Sequence, residues 1–359
     1  MKILVAPLDW GLGHATRCIP IIRELRGRGS EVVIAGSGAS LALLQEEFPT
    51  LKSYSLPGYQ PRYPTNRAMV WAMAAQLPRF LTTIRAEHRV VSQIVEAENV
   101  SAIISDNRYG CRSDKVPSVF ITHQLHIQMP RRMAWISGAV SMINRSYINR
   151  FDACWIPDRK GERSLAGALA EPGAKLDVPV HYLGVLSRFK ASEPAPAIDR
   201  DVIFVLSGPE PQRSALEKII APQLEASGLR YLVVRGLPAE KKMRAGSRMV
   251  NFLPAEALQA EIERSEVVIA RSGYSTVMDM HALGKKVIFI PTPGQTEQEY
   301  LGRRLRDLGI AVMVAQDSFQ LATALAELRR VRGFTSQEVN AHLQPAVDDL
   351  LTAIQRYKR

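Results

Sequence analysis

Several features are scarce or missing in this sequence of 359 residues. Its three cysteines, Cys18, Cys111 and Cys154, are an odd number without metal-site spacing, so we expect reduced thiols rather than a disulfide framework. No run approaches the ~18 apolar residues that a membrane-spanning helix requires. The apolar start of the chain is broken by Pro7 and Asp9, too early for a signal peptide. These absences predict a protein of the cytoplasm.

Acidic residues are missing from two long stretches, one between Glu47 and Glu87 and one between Asp114 and Asp152. The net charge of +11 is therefore unevenly distributed. Both stretches also carry large apolar side chains, a mixture that suits an anionic membrane surface or a phosphorylated lipid acceptor. A solvated basic face over core helices explains them equally well, and without a nucleic-acid motif we expect no nucleic-acid partner. The candidate residues of this acceptor and membrane side are Arg62, Arg67, Trp71, Arg131, Arg132 and Trp135.

Each half of the chain alternates short apolar strands with helices, which indicates parallel sheets covered on both faces. We predict an α/β protein with two Rossmann-like domains, residues 1–186 and 201–337, that face a central cleft. A linker rich in Pro and Ala is expected at 187–200. An amphipathic helix at 338–359 is expected to pack back on the first domain. Because ligands of open α/β sheets bind beyond the carboxyl ends of the strands, the cleft is the predicted site.

The first strand-to-helix turn, Asp9-Trp10-Gly11-Leu12-Gly13-His14, departs from the common nucleotide motifs. Gly11 and Gly13 begin a dinucleotide fingerprint, but Thr16 stands at its third glycine and no acidic residue ends the next strand. NAD binding is therefore disfavoured, and the absence of a GxxxxGK[ST] run likewise disfavours a P-loop ATPase. What remains is a tight loop that presents His14 at the start of a helix. There the imidazole either transfers a proton or merely fills the turn.

A second glycine turn, at residues 270–279, has the composition of a phosphate site. An apolar strand runs into Ser272 and Gly273, and a helix follows whose amide groups and dipole would stabilise an anion. Asp279 lies three residues after Thr276, the spacing of a capping box, so it either satisfies the helix's own amides or accepts hydrogen bonds from a ribose. The Ser207-Gly208-Pro209 turn is an ordinary turn or a further loop of the same site.

These motifs together resemble a known family. The run from Arg271 to Asp279, then the stretch to Pro291, then Gln295 to Tyr300, resembles the donor-binding half of GT-B glycosyltransferases, and in particular the family 28 C-terminal domain found in the peptidoglycan N-acetylglucosaminyltransferase. The loop at residues 11–14 is similar to the N-terminal glycine loop of that family. The resemblance implies a GT-B fold and a UDP-sugar as donor.

The resemblance also implies roles in the donor site. The backbone near Phe252 and Leu253 would hold the uracil, and Asp279 would take the ribose hydroxyls where the family usually has Glu. Gln298 and Glu299 would bind the donor sugar where the family tends to carry paired Gln, a departure that implies a different sugar or acceptor. The implied donor-binding residues are Gly11, Gly13, Ser207, Gly208, Arg213, Phe252, Leu253, Arg271, Ser272, Gly273, Ser275, Thr276, Asp279, Gln295, Gln298 and Glu299.

The reaction implied is an inverting transfer without metal or other cofactor, onto a glycan or lipid-linked acceptor at the inner face of the membrane. A base must take the proton of the acceptor hydroxyl, and His14, Asp106 and His123 are the candidates, the last two at the ends of predicted strands. Asp106 could instead orient the histidine. The helix at the second glycine turn, with Arg271 or Arg213, would stabilise the leaving diphosphate.

Two rival interpretations stay open. One is an isomerase on the same fold, of the UDP-N-acetylglucosamine 2-epimerase type, which would convert a nucleotide-sugar without any acceptor. The other is a non-catalytic nucleotide-sugar-binding protein, which would bind UDP without turnover and would tolerate the replacement of His14.

Overall fold

The computed structural model describes residues 1–59, 77–127, 135, 137–171, 175–237, 248–335 and 339–357. The chain forms two compact units. Unit 1 comprises Met1–Leu186 together with Val339–Arg359, and unit 2 comprises Ser187–Glu338. The predicted linker at 187–200 groups with unit 2, where Arg200 already begins a strand.

Unit 1 is built on a parallel sheet. Its strands are β1 (Lys2–Pro7), β2 (Glu31–Gly36), β3 (Lys52–Ser55), β4 (Ala102–Asp106), β5 (Ser118–Ile121), β6 (Ala153–Ile156) and β7 (Val180–Tyr182). In the described part of the chain these seven lie in the order β3-β2-β1-β4-β5-β6-β7. The helices among them are α1 (Leu12–Gly27), α2 (Gly38–Glu47), α3 (Leu77–Glu98) and α4 (Ser137–Ile148).

The register of the central strands brings chemically important chain segments together. Strand β1 is almost wholly apolar and buried, as expected for a strand covered on both faces. It pairs in parallel with β4 so that Pro7 lies opposite Asp106, and β4 pairs with β5 so that Asp106 lies opposite Ile121. The segments that follow these three strands therefore emerge side by side at the carboxyl edge of the sheet.

Unit 2 repeats this plan. Its strands are β8 (Arg200–Val205), β9 (Tyr231–Val234), β10 (Met249–Val250), β11 (Ser265–Ala270), β12 (Lys286–Phe289) and β13 (Val312–Met313). Over the described residues these six run parallel in the order β10-β9-β8-β11-β12-β13. Its helices are α5 (Gln212–Ala226), α6 (Ala255–Glu263), α7 (Tyr274–Ala282), α8 (Thr296–Asp307) and α9 (Leu321–Leu328). Ala270 pairs with both Val205 and Phe289, so the loops after β8, β11 and β12 share one edge.

The last helix, α10 (Leu343–Tyr357), belongs to unit 1. Val347 and Ile354 lie on its buried face. On its outer side Asp348 pairs with Arg28 at the end of α1. Just before the helix, the backbone N–H of Asn340 donates to the carbonyl of Val185 at 2.8 Å. The chain thus returns to its first unit through an apolar face and a few polar anchors.

Candidate active site

Four polar side chains meet at the carboxyl edge of the unit 1 sheet: His14, Arg17, Asp106 and His123. The first two come from the start of α1, and the others lie at or just after the ends of β4 and β5. Gly11 makes this possible because it adopts a φ of 95° between β1 and α1, a conformation that side chains with a Cβ rarely take. The predicted candidates His14, Asp106 and His123 are therefore brought together.

Asp106 lies at the centre of this cluster and is fully buried. Its Oδ1 is 2.8 Å from Nδ1 of His14, and its Oδ2 accepts a hydrogen bond of 2.8 Å from Nε of Arg17. A second guanidinium nitrogen of Arg17 also donates to Oδ1. Burial by itself would raise the pKa of Asp106, but the charge of Arg17 and the His14 ring outweigh it and hold that pKa well below its ordinary value.

The contacts of the two histidines constrain which ring nitrogen carries the proton. Nδ1 of His14 lies 2.8 Å from the ionised carboxylate of Asp106 and 3.0 Å from Nη2 of Arg17. Nδ1 of His123 lies 2.9 Å from Nη1 of Arg17, which can only donate, so this nitrogen accepts and the proton of the neutral ring sits on Nε2. The His14 ring thus faces both an acceptor and a donor, whereas the His123 ring faces a donor.

Arg17 was not among the residues predicted from the sequence. It is 2% exposed and reaches the other three side chains of the cluster. Its position three residues after His14 places both on one face of α1, and that spacing was the available signal. The thiol of Cys18, also buried, lies 3.9 Å from Oδ2 of Asp106.

A second buried network braces the glycine turn from below. Arg108, with no exposed side-chain surface, forms an ion pair with Glu87 and donates from Nε to the carbonyl of Pro7 at 2.7 Å. Its Nη2 donates to Ser37, which in turn donates to Asp9 in the turn. The network ties the end of β1 to the loop that carries His14. Nothing in the sequence spacing marked this pair of residues.

In unit 2, Arg271 holds loops together rather than facing outward. Its Nη1 donates to the carbonyls of Ile290 and Pro291 at 3.0 Å, and its Nη2 donates to Gln212 and Gln316. The side chain is 1% exposed, and burial lowers the pKa of Arg271 to about 10. The predicted contact with a leaving diphosphate stays a prediction. The guanidinium fixes the chain after β12 against the start of α5.

Arg213 is likewise engaged within its own unit. It forms ion pairs of 2.6 and 2.7 Å with Glu210 and Glu217, one turn before and after it. These two carboxylates compensate its charge, and its predicted contact with a diphosphate stays a prediction.

Asp279 does not form the capping box that its spacing allowed, and its predicted contact with a ribose stays a prediction. Helix α7 begins at Tyr274 after an N-cap at Gly273, so Asp279 lies beyond the first turn and outside a capping box. Its Oδ1 accepts a hydrogen bond of 2.6 Å from Ser187, and its Oδ2 is 3.2 Å from Nε of Arg188. Burial raises the pKa of Asp279 although Arg188 and Ser187 oppose it. The carboxylate anchors the first residues of unit 2.

The glutamine-rich start of α8 shapes the loop after β12. Oε1 of Gln298 accepts from the backbone N–H of Thr292 at 2.8 Å, and its amide group donates to Gln295. Glu299 accepts from the backbone N–H of Gly294 at 3.0 Å. Ser272 donates to the carbonyl of Gln298 at 2.7 Å. These predicted sugar and phosphate ligands therefore form a connected network around one loop.

The remaining predicted donor residues of unit 2 lie at the same edge and are partly exposed. Gly273 caps α7, and Ser275 and Thr276 occupy its first turn, where backbone N–H groups point out of the helix. Gly208 follows β8 with a φ of 104°, close to the side chain of Thr292. The other partly exposed members of the predicted set are Ser207, Phe252 and Leu253 in unit 2 and Gly13 in unit 1.

The predicted acceptor and membrane side is mostly outside the described residues: Arg62, Arg67, Trp71, Arg131 and Arg132 all fall there. Trp135 is described, and its side chain is 83% exposed. No helix in the described ranges combines the length and the apolar character needed to cross a bilayer. Over the same ranges, no group of three or more His, Cys, Asp or Glu side chains is placed to hold a metal ion.

Comparison with known sequences gives consistent matches. Residues 232–349 match the glycosyltransferase family 28 C-terminal domain. The chain is 24% identical to an uncharacterized glycosyltransferase of Methanosarcina acetivorans, over 83% of this chain and 82% of that protein. It is 25% identical to a UDP-N-acetylglucosamine--N-acetylmuramyl-(pentapeptide) pyrophosphoryl-undecaprenol N-acetylglucosamine transferase of Methylobacterium sp. (strain 4-46), over 80% of this chain and 76% of that protein.

Solved structures agree in fold. MurG of Acinetobacter baumannii aligns with a TM-score of 0.55 at 14% identity, covering 98% of this chain and 99% of that one. Spinosyn rhamnosyltransferase SpnG, complexed with thymidine diphosphate, aligns with a TM-score of 0.59 at 16% identity, covering 99% and 96%. The predicted fold class, GT-B with two Rossmann-like parallel-sheet domains, is confirmed.

Proposed function

We propose that this chain, which is a GT-B glycosyltransferase with a family 28-like C-terminal domain, transfers a sugar from a UDP-sugar by an inverting displacement in which His14 is the base. The observation that carries the proposal is the contact of 2.8 Å between Nδ1 of His14 and the buried carboxylate of Asp106. A histidine oriented in this way presents a bare Nε2, the form of the ring that can accept a proton from an acceptor hydroxyl.

The contacts rank the three candidate bases. Asp106 is buried, its oxygens accept from Arg17, His14 and Asn107, and its low pKa makes it a weak proton acceptor. His123 has its Nδ1 turned to Arg17 and its proton on Nε2, so neither nitrogen offers a lone pair to a substrate. His14 alone among the three combines an orienting carboxylate with a side chain that is 17% exposed. Asp106 then orients the imidazole and stabilises its protonated form.

The donor is assigned to unit 2. The N-terminus of α7, a helix of nine residues, offers backbone N–H groups and hydroxyls for a diphosphate, and its dipole favours the charge that develops on the leaving group. Support for a uridine nucleotide comes from the relative named as a UDP-N-acetylglucosamine transferase. The structural neighbour with thymidine diphosphate supports a pyrimidine nucleoside diphosphate more broadly. With Arg271 and Arg213 engaged elsewhere, helix amides and the Ser275 and Thr276 hydroxyls carry the leaving-group stabilisation.

We further propose a glycan or lipid-linked acceptor, approached at an anionic membrane surface. Support comes from the undecaprenol-linked acceptor in the name of the Methylobacterium relative. It also comes from the exposed apolar side chains Trp135, Met142 and Ile143, which accompany Arg145 on or next to α4. Exposed apolar groups beside basic ones suit the interface of an anionic bilayer.

A nucleotide titration followed by a turnover assay tests the donor and the reaction. UDP at about 100 times its Kd should raise the free energy of unfolding by ~2.7 kcal/mol, visible as a higher Tm, whereas GDP should not. If thymidine diphosphate stabilised the protein more than UDP does, the donor would be a thymidine diphosphate sugar rather than a UDP-sugar. No response to either pyrimidine nucleotide would overturn the donor assignment. In turnover, release of UDP only when an acceptor is added supports transfer, and a new UDP-sugar formed without acceptor would show an isomerase instead.

A further inference from the structure

Arg17 touches each of the other three polar side chains of the unit 1 cluster, yet it is too buried to be a ligand contact. We propose that Arg17 is the positioning residue that fixes the protons of the two histidines in opposite senses, so that His14 accepts a proton at Nε2 while His123 carries one there. This inference rests on the proposed role of His14 as the base. It assigns His123 the character of a hydrogen-bond donor.

The proton position on His14 depends on one oxygen of Asp106 that His14 and Arg17 share. Nδ1 of His14 lies 2.8 Å from Oδ1 of Asp106 and 3.0 Å from Nη2 of Arg17, and Arg17 also donates to that oxygen. If Nδ1 lacked a proton, its lone pair would face the carboxylate at contact distance, which is repulsive. Nη2 of Arg17 also lies within hydrogen-bonding geometry of Nδ1, but the carboxylate is nearer and its negative charge favours a proton on Nδ1, so in the proposed arrangement both nitrogens donate to one oxygen.

The proton position on His123 depends on the forked shape of the Arg17 guanidinium. Arg17 uses Nε and Nη2 for Asp106, which turns Nη1 toward Nδ1 of His123 at 2.9 Å. A guanidinium has five N–H donors and no acceptor, so Nδ1 of His123 can only accept. A protonated His123 would place two N–H groups against each other beside a cation. Arg17 thereby keeps His123 neutral with its proton on Nε2.

Charge balance explains why a cation is needed at this place. The charged and titratable groups in contact within the cluster include His14, Arg17, Asp106, His123 and Cys18. With both histidines neutral and the thiol uncharged, Arg17 compensates the buried Asp106 carboxylate. Without Arg17, we expect His14 to gain a second proton, because its positive charge would then compensate that carboxylate. The enzyme would then hold its base in the protonated form.

Nitrogen NMR of the imidazole rings tests this directly, without a substrate. The protein labelled with 15N-histidine gives separate signals for protonated and bare ring nitrogens, and His14→Ala and His123→Ala variants assign them. At neutral pH we expect His14 to carry its proton on Nδ1 and His123 on Nε2. The same tautomer on both rings would overturn the proposal.

Two substitutions separate the charge of Arg17 from its shape. In Arg17→Met, the midpoint of the His14 ring titration should move upward by about 1–3 pH units, since the carboxylate has lost its cation. In Arg17→Lys the charge is kept, so that midpoint should stay near the wild-type value, whereas the single ammonium cannot bridge to His123 and its tautomer should become mixed. If the His14 midpoint is unchanged in folded Arg17→Met, the charge of Arg17 does not control the protonation of His14. If the His123 tautomer is unchanged in Arg17→Lys, the forked guanidinium does not orient the His123 proton.

A double variant guards against a purely structural effect. In Arg17→Met with Asp106→Asn, both charges are gone and the amide oxygen can still accept from Nδ1 of His14, so the titration midpoint should return toward the wild-type value. The pH dependence of kcat, though not its maximum, should follow the same pattern, with the alkaline shift expected for Arg17→Met absent in the double variant. If His14→Ala retains full turnover, the base assignment fails. If only the titrations disagree, the Arg17 inference alone fails.

Discussion

The two sheet edges use their charged residues differently. In unit 1, Arg17 and Asp106 are buried but contact His14, the side chain proposed to do the chemistry. In unit 2, the buried charges of Arg271 and Asp279 contact loops of the unit and its first residues, and the edge also presents helix amides and hydroxyls. A charged residue in a glycine motif is thus a scaffold in one unit and part of the proton-transfer cluster in the other.

The proposed roles of the two units would account for this difference. A base needs its proton position and basicity fixed, which takes a neighbouring charge at contact distance. A diphosphate carries its own charge, and preorganised N–H groups stabilise it without a desolvated counterion. Substitutions in unit 1 and in unit 2 can each test this difference.

The largest effect is expected at Asp106. Asp106→Asn leaves the buried Arg17 guanidinium without its counterion, so it should reduce the free energy of unfolding by about 3–5 kcal/mol, measured by denaturant unfolding. It should also lower kcat, since the amide no longer stabilises a protonated His14. Asp349→Asn, a carboxylate on the exposed side of α10 that faces His181, is the matched control and should change neither quantity.

The stability difference between wild type and Asp106→Asn should depend on pH. The pKa of Asp106 is lowered in the folded protein, so its contribution is fully present above the ordinary aspartate range near pH ~4 and is lost as pH falls through the lower folded value. The gap should therefore be widest at pH ~6 and shrink below about 4. A gap that grows in acid would mean that the carboxylate is not the ionised partner of Arg17.

In unit 2, Arg271→Met should destabilise the protein by about 2–4 kcal/mol, because several buried oxygens lose their donor. Arg230→Met, which changes an exposed arginine paired with Asp201, should leave Tm unchanged within error. If Arg271→Met instead kept its Tm while losing affinity for UDP, Arg271 would be a diphosphate ligand and the comparison drawn above would be wrong.

A smaller effect is expected at the start of α7. Thr276→Val removes one hydroxyl from the proposed diphosphate site, worth ~1.4 kcal/mol or about tenfold in the Kd for UDP, measured by calorimetry. Thr276→Ser keeps the hydroxyl and should bind UDP within about twofold of wild type. Equal losses in both variants would indicate that the methyl group, and not the hydroxyl, matters there.

The smallest effect concerns the proposed membrane side. The wild type should co-sediment with anionic vesicles at low salt and dissociate as salt rises, and Trp135→Ser should weaken this binding a few-fold. Tyr357→Ser, which alters an exposed aromatic residue at the end of α10, is the control. Binding to neutral vesicles that is as strong, or no binding at all, would contradict the membrane proposal.

The fold, and the grouping of three candidate side chains, could be predicted because parallel strands end at one edge. Alternating strands and helices predicted two such sheets, and His14, Asp106 and His123 each follow a strand of the first. The tautomers could not be predicted, because they depend on Arg17, whose contacts require knowing which face of α1 is turned inward. The contacts of Arg271 and Asp279 in unit 2 could not be predicted from the sequence either. Arg271 beside a glycine turn has the pattern of a phosphate ligand until its burial is known.

The interpretation of Asp279 as part of a capping box depended on where helix α7 begins. Its spacing from Thr276 suggested a cap, yet α7 begins two residues earlier, at Tyr274, and the carboxylate then points to Ser187 and Arg188. Those partners lie about 90 residues away in sequence, beyond what local spacing predicts.

The most direct test of the account is the kcat of His14→Ala with UDP affinity and Tm measured on the same preparation. The account predicts a fall in kcat of roughly 10²–10⁴-fold with UDP binding and Tm unchanged, because the base is lost while the donor site in unit 2 is untouched. His181→Ala, a histidine on β7 outside the cluster, should behave as wild type. A fall of less than threefold in His14→Ala would remove His14 from the role of base.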